Sequence, residues 1–171
     1  MLRVFDYAHR PDGAELIRIY TESIDAQVSG KSGDSRQENR NLAEDAFLDY
    51  IRYDFYRTKG ACCLVWYENG IAVSALRLEP YRDGYLLCGL ETAPQDRGRG
   101  YAGKLISACV DHLVAKNVTH LYSHVHKRNR ISLRLHEKYS FIIISDTGAL
   151  LDGSVSSMYF TLKRKLTAPS L

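Results

Sequence analysis

The residues of this chain best suited to chemistry are Arg97, Gly98, Arg99, Gly100, Tyr101, Ala102 and Gly103. They form a glycine-rich basic turn between an expected strand over 86–92 and an expected helix over 100–116. Glycines let a backbone approach a ligand closely, successive N–H groups can share one concavity, and a following helix adds its positive dipole end. Arg97, Arg99 and Lys104 supply cations within a turn or two. Such a turn can hold a phosphate; the competing reading is a strand-to-helix connection that needs glycine for conformation alone. A Walker loop requires Ser or Thr after Gly-Lys, and Leu105 follows Gly103-Lys104, so that pattern fails. A dinucleotide fingerprint is met by Gly98, Gly100 and Gly103, yet the expected next strand ends in Ser123-His124-Val125-His126 with no acidic ribose partner, which ranks it second.

Downstream lies Asn129-Arg130-Ile131-Ser132-Leu133-Arg134-Leu135-His136-Glu137-Lys138-Tyr139-Ser140-Phe141. Together, the turn from Arg97 to Ala102 and this segment resemble the GNAT superfamily of acyl-CoA-dependent N-acyltransferases. The family's loop reads Arg/Gln-x-x-Gly-x-Gly/Ala, with an apolar residue eight positions after its first residue, here Leu105; its later segment reads roughly Asn, six residues, Tyr-Glu-Lys-x-Gly-Phe. The motifs span 86–141, and element order extends the likeness along the chain. His136 stands where the family usually has tyrosine, and Ser140 where it usually has glycine.

This resemblance implies an α+β fold, a mixed and mainly antiparallel central sheet flanked by helices, as one domain over 1–171. It implies transfer of an acetyl group from acetyl-CoA, without metal, to a primary amine of a small molecule, peptide or protein, by direct attack through a tetrahedral intermediate. A non-catalytic acyl-CoA sensor or interaction module on the same fold is the alternative. Backbone groups of Leu90, Glu91 and Thr92 would lie beside the pantetheine arm, with the N–H near Thr92 polarising the thioester carbonyl. Residues 98–103 would bind the pyrophosphate, with Arg97 beside them, and Asn129 would reach the coenzyme. His136 would face the coenzyme sulfur and protonate the thiolate, with Tyr139 as the fallback acid.

Several of these residues have a second reading. Asn129 caps a helix as readily as it binds a ligand, Ser132 closes the cap or touches the ligand, and Glu91 is either a surface carboxylate or a base acting through water. His120, His124 and His126 share one face of a strand by period two, but no third ligand accompanies them, so no metal site is assigned. His124, five residues before Asn129, stands where some relatives that acetylate peptide amines carry a catalytic glutamate; its alternative is a hydrogen-bonded strand histidine.

The elements that must position these groups fit one core. The chain has 171 residues, 45% hydrophobic, with net charge +3, enough for one domain and without a bulk charge that marks a nucleic-acid or membrane partner. Four cysteines without metal-ligand spacing read as buried thiols of a reducing compartment, and with no apolar run of membrane-span length the expected location is the cytoplasm. A homodimer is left open. Expected elements are a strand over 2–7, a helix opened by Pro11 with Leu16, Ile19 or Tyr20, and Ile24 inward, a loop over 29–34, and a helix over 35–57 with Leu42, Ala46, Phe47, Ile51 and Phe55 inward. Strands over 61–67 and 71–78 flank the hairpin signal Asn69-Gly70. A third strand precedes the basic turn and helix; then come a strand over 118–126, a helix capped by Asn129, and strands over 139–145 and 157–162. Lys163-Arg164-Lys165 is taken as a solvated chain end. Tyr50, Tyr53, Asp54 and Tyr56 are candidates for an acceptor pocket.

Overall fold

The computed structural model describes residues 1–28, 35–149 and 154–167. Seven strands form one sheet in the order β1-β2-β3-β4-β5-β9-β6. They are β1 (Leu2–Phe5), β2 (Cys62–Glu68), β3 (Ile71–Tyr81), β4 (Gly84–Thr92), β5 (His120–His126), β6 (Ile142–Ser145) and β9 (Tyr159–Lys165). A separate two-residue pair, β7 (Gly148–Ala149) with β8 (Val155–Ser156), lies outside the sheet, with β7 close to β9 and β5. Every pairing is antiparallel except β4 with β5. The helices are α1 (Gly13–Val28), α2 (Ser35–Asp49), α3 (Tyr101–Ala115) and α4 (Arg130–Lys138).

Alternation along the strands divides the core in two. Cys63, Val65 and Ala75 join α1 and α2 on one face; Cys62, Leu64, Leu76, Leu78, Leu87, Leu121 and Leu162 join α3 on the other. The adjacent Cys62 and Cys63 thus enter opposite cores, and all four cysteines are free thiols. In α3, Leu105, Cys109 and Leu113 form the expected inward stripe. In α1, Leu16, Ile19, Tyr20 and Ile24 are all buried, with Val28 continuing them. That helix begins two residues after Pro11, where Asp12 Oδ1 accepts the N–H of Ala14 at 2.7 Å.

The hairpin signal is realised: Asn69 and Gly70 adopt φ of 48° and 80°, the conformation a two-residue turn of this hand needs. The second helix departs from expectation. It gives way at residue 50 to a π turn (Tyr50–Asp54) and a 3-10 turn (Phe55–Arg57). Its inward stripe is Ala43, Phe47, Ile51 and Phe55, while Leu42 is 65% exposed and Ala46 points outward. The wider π turn keeps a four-residue spacing inward that a regular helix of 3.6 residues per turn would rotate away. Lys163-Arg164-Lys165 is no solvated end, for it lies within β9, where the Arg164 guanidinium donates to the Tyr139 carbonyl at 2.8 Å. Ser140 adopts φ of 62°, so it holds the left-handed conformation that glycine takes freely after a helix. The loop expected over 29–34 falls outside the described residues.

The functional consequence of the topology lies between β4 and β5. They pair only over Tyr85–Leu87 and Leu121–Ser123, after which β4 runs on to Thr92 and β5 to His126 without meeting. A register shift opposite Leu76 coincides with Gly89 at φ of 57°, an extra residue that bends β4 away from its neighbour. The short parallel contact depends on Gly84, where a Cβ would fall 2.0 Å from the His120 carbonyl oxygen. Gly84→Ala is therefore expected to destabilise the fold by about 1–3 kcal/mol. Chemical denaturation checks this, with Gly70→Asn, in an open turn, as the control that stays near wild type.

Candidate active site

Where β4 runs on without β5, its end lines a cavity of about 1090 Å³, walled also by the basic turn, the first residues of α3, one side of α4, and Glu22, Ser23 and Ala26 of α1. Leu90, Glu91, Thr92, Arg97, Gly98, Gly100, Tyr101, Ala102, Gly103, Asn129 and Ser132 all lie on this wall. Of the residues the sequence points to for the coenzyme, Arg99 alone is absent from it; Arg99 faces solvent and stands 3.7 Å from Asp96.

The turn owes its shape to two glycines. Gly98 and Gly100 adopt φ of 75° and 78°, and a Cβ on either would meet nothing within 4 Å. Glycine is thus needed there for conformation, with open space left beside it. The first backbone bond of the helix runs from Lys104 N–H to the Gly100 carbonyl, and among the described residues no N–H from Gly98 to Gly103 donates to the protein. Such donors, together with the helix dipole, are chemically suited to hold an anion. Gly103 serves packing, since a Cβ there would lie 2.2 Å from the Tyr139 hydroxyl. The same wall carries three acidic residues, Glu22, Glu91 and Asp96; Arg18 holds Asp96 at 2.6 Å and Arg99 stands on its other side, so the charge of Asp96 is compensated. Arg97 spans the turn, donating to the Thr92 carbonyl at 3.2 Å and pairing with Glu22 at 2.8 Å.

Glu91 is half-buried, and burial pushes its carboxyl above the ordinary range even though Ser23, Arg77 and Arg97 oppose the shift. Ser23 Oγ donates to its carboxylate. On the opposite wall Asn129 accepts the Ser132 N–H at 3.0 Å, so it caps α4 and borders the cavity at once. Both readings of Asn129 are thereby compatible.

His136 is placed differently from the expectation. It is 1% exposed, is absent from the cavity wall, and packs edge-on against Phe141 with ring centres 4.9 Å apart. Its Nδ1 donates to the Ser132 carbonyl at 2.8 Å, and Nε2 is buried without a partner. Burial lowers its pKa below the ordinary imidazole value, so at neutral pH the ring is neutral and its Nε2 is a bare acceptor. The motif places this residue, but the rotation of α4 turns it into the core, whereas Ser132, Leu135 and Tyr139 face the cavity.

His124 also lies outside the wall. Its Nδ1 meets Thr161 Oγ1 at 3.1 Å, and because that hydroxyl donates to the Thr147 carbonyl, Nδ1 carries the proton. Burial lowers the pKa of His124 as well. His120 pairs with Asp83 at 2.8 Å, and His126 accepts the Arg128 N–H. Among the described residues no group of three His, Cys, Asp or Glu could hold a metal ion, and no helix is long and apolar enough to cross a membrane. Burial pushes the Cys62 thiol up to about 11 and those of Cys63 and Cys88 up to about 12, which leaves them protonated at neutral pH.

Sequence reasoning missed Glu22, Ser23 and Arg18, whose partners lie 54 or more residues away. Nothing in their local pattern distinguishes them from the polar face of an amphipathic helix. Of the acceptor candidates, Tyr56 is buried in the core, Tyr53 and Asp54 face solvent, and Tyr50 alone turns towards the sheet, against Arg77.

The family model of the GNAT acetyltransferases matches residues 32–141. No curated protein matches the chain by sequence. Among solved structures, the PaiA N-acetyltransferase of Thermoplasma acidophilum, in complex with coenzyme A, superposes with a TM-score of 0.65 at 16% identity, covering 96% of this chain and 99% of that one. Ard1 of Thermoplasma volcanium gives 0.65 at 17%, covering 98% of each chain. The ribosomal-protein-alanine N-acetyltransferase of Brucella melitensis gives 0.62 at 18%, covering 97% of this chain and 99% of that one. At these identities the likeness is one of fold; with the family match over most of the sheet and both motifs, the chain belongs to the GNAT acetyltransferase family and is an acyltransferase.

Proposed function

We propose that the protein transfers the acetyl group of acetyl-CoA to a primary amine by direct attack, with Glu91 as the base. The observation that carries this reading is the union, in one cavity, of unpaired N–H groups at a helix start with a half-buried carboxylate of raised pKa on the part of β4 that β5 does not pair. In this reading the N–H groups of Gly98, Gly100, Tyr101, Ala102 and Gly103 take the pyrophosphate, with Arg97 and Arg99 adding charge. Leu90, Glu91 and Thr92 run beside the pantetheine through main-chain groups that β5 does not pair, and Asn129 and Ser132 border the arm from α4.

The chemistry asks little more of the chain. Glu91 accepts a proton from the ammonium, directly or through water held by Ser23, and the nitrogen lone pair forms the C–N bond at the thioester carbon. A backbone N–H near Thr92 stabilises the oxyanion. The C–S bond then breaks, its electron pair leaving on sulfur; the nitrogen sheds a second proton and the thiolate takes one from solvent. The thioester is already activated, so no metal and no covalent enzyme intermediate enter. His136 has no part in that protonation, because a neutral ring with Nδ1 committed to Ser132 offers a lone pair and no proton. His124, also neutral, lies outside the path of the proton.

Four measurements test this. Gly100→Asp puts a carboxylate among the phosphate-facing N–H groups and is expected to weaken CoA binding at least tenfold by calorimetry in a folded variant, whereas wild-type affinity would overturn the loop assignment. Glu91→Gln should lower kcat about 10²- to 10⁴-fold, read as thiol release from acetyl-CoA across a panel of amines. In the wild type, activity should rise as pH climbs through a Glu91 pKa that lies above the ordinary carboxylate range, since only the ionised form accepts the proton; the Glu91→Gln variant should lack that limb. His136→Phe should leave kcat within about threefold, and a loss near the 10² expected for a positioned acid would return His136 to the mechanism.

A further inference from the structure

On the face of the sheet opposite α3, Arg77 of β3 projects beside the bend of β4. Its guanidinium carbon lies 5.2 Å from the ring centre of Tyr50, 5.6 Å from that of Tyr20 and 5.9 Å from that of Phe55. A Cβ on Gly89 would fall 2.6 Å from Arg77 Nη2, so the fork lies against the bulge at which β4 turns away. Nε is buried with no hydrogen-bond partner, and among the described residues no carboxylate lies within salt-bridge distance of Arg77. The neighbouring polar groups are already committed: Tyr20 donates to the Gly89 carbonyl at 2.5 Å, and the Cys88 thiol points to the Arg77 carbonyl and to Glu79.

An arginine enclosed this way is costly without an acceptor for its donors. Aromatic faces attract the cation but accept none of its five N–H groups well, so the cage leaves the planar fork unfilled. Its place is informative. Arg77 pairs in register with Cys88, and across the bulge Ala75, two residues back on β3, pairs with Glu91. The unfilled fork and the proposed base therefore flank the same bend of β4, Arg77 on the side away from α3.

We propose that the acceptor amine also carries a carboxylate, which the Arg77 guanidinium binds as a bidentate pair while Glu91 receives the ammonium, so that amino-acid-like zwitterions are the substrate class. The inference rests on the acetyl-transfer reading above. A carboxylate matches the fork's planar geometry and single charge, and the three aromatic rings beside the guanidinium lower the local dielectric in which such a pair would form. Tyr50 is then the residue of the π turn that meets the substrate, which gives that interruption of the helix a purpose. The product is the N-acetylated carboxylate, with CoA thiol and one proton released.

The test compares matched acceptors: an amino acid, its carboxamide, its decarboxylated amine and its phosphonate analogue, each assayed by thiol release. Wild type should favour the carboxylate over the carboxamide by about 10²-fold in kcat/KM, the scale of an enclosed charged pair losing one partner. Arg77→Met should erase that preference by lowering the carboxylate substrate alone, with CoA affinity unchanged; Arg77→Lys should fall between. A wild type that prefers the carboxamide or amine, or treats all four alike, overturns the proposal whether or not the variants fold, and a preference for the phosphonate replaces the carboxylate with a dianion. If no amine releases thiol while CoA binds, acetyl transfer is what fails. Calorimetric titration of the amino acid into the CoA complex then decides the carboxylate site by itself: binding lost in Arg77→Met supports it, and no binding to wild type overturns it.

Discussion

The structure depends on one interruption: β4 and β5 begin as a parallel pair and then part. A parallel ladder would otherwise satisfy both strand edges; without it, carbonyls along the end of β4 find side-chain partners, Tyr20 at Gly89 and Arg97 at Thr92. Three features hold the strands open. Gly84 permits the close contact from which they diverge, the bulge at Gly89 bends β4, and β9 continues to pair with β5 along its whole length, so β5 stays straight while β4 departs. The cavity is the space this creates, and α3 and α4 close its sides.

Helix α1 ties the two faces of that opening together. Along its length Arg18 holds Asp96, Tyr20 holds the Gly89 carbonyl, Glu22 holds Arg97 and Ser23 holds Glu91. One rigid element thus fixes the glycine-rich turn, the bend of β4 and the half-buried carboxylate. The same helix contributes Leu16, Ile19 and Ile24 to the core beneath, so the positions of these polar contacts are set by apolar packing.

How much of this is legible in the sequence follows from the range of each interaction. The hairpin at Asn69-Gly70, the cap at Asn129 and the stripe of α3 are written in residues close in the chain, and they appear where local pattern puts them. The turn from Arg97 to Gly103 is equally local, because glycine and basic side chains close in the chain are themselves the feature. What pattern could not supply is rotation and partnership. The one-residue phase of α2, and the orientation of His136, depend on how a helix settles against the sheet. Motif alignment fixes a position along α4 but not which way its face points when Phe141 and the Ser132 carbonyl compete for the ring. Ser23 with Glu91 and Arg18 with Asp96 join residues far apart, and a polar residue on an amphipathic helix carries no mark of its distant partner.

The turn from Gly98 to Gly103 offers ligands its main chain, and this has a consequence for how such a protein can change over time. A site composed of N–H groups specifies a conformation and not a set of side chains, so replacements elsewhere are tolerated whenever φ at Gly98 and Gly100 is kept. Divergence then proceeds far before the architecture gives way: 16% identity coexists with superposition over nearly the entire chain. Side chains have no such latitude: on the face that carries Tyr20, Tyr50 and Arg77, a single replacement changes the groups that surface presents while the main-chain turn keeps its shape.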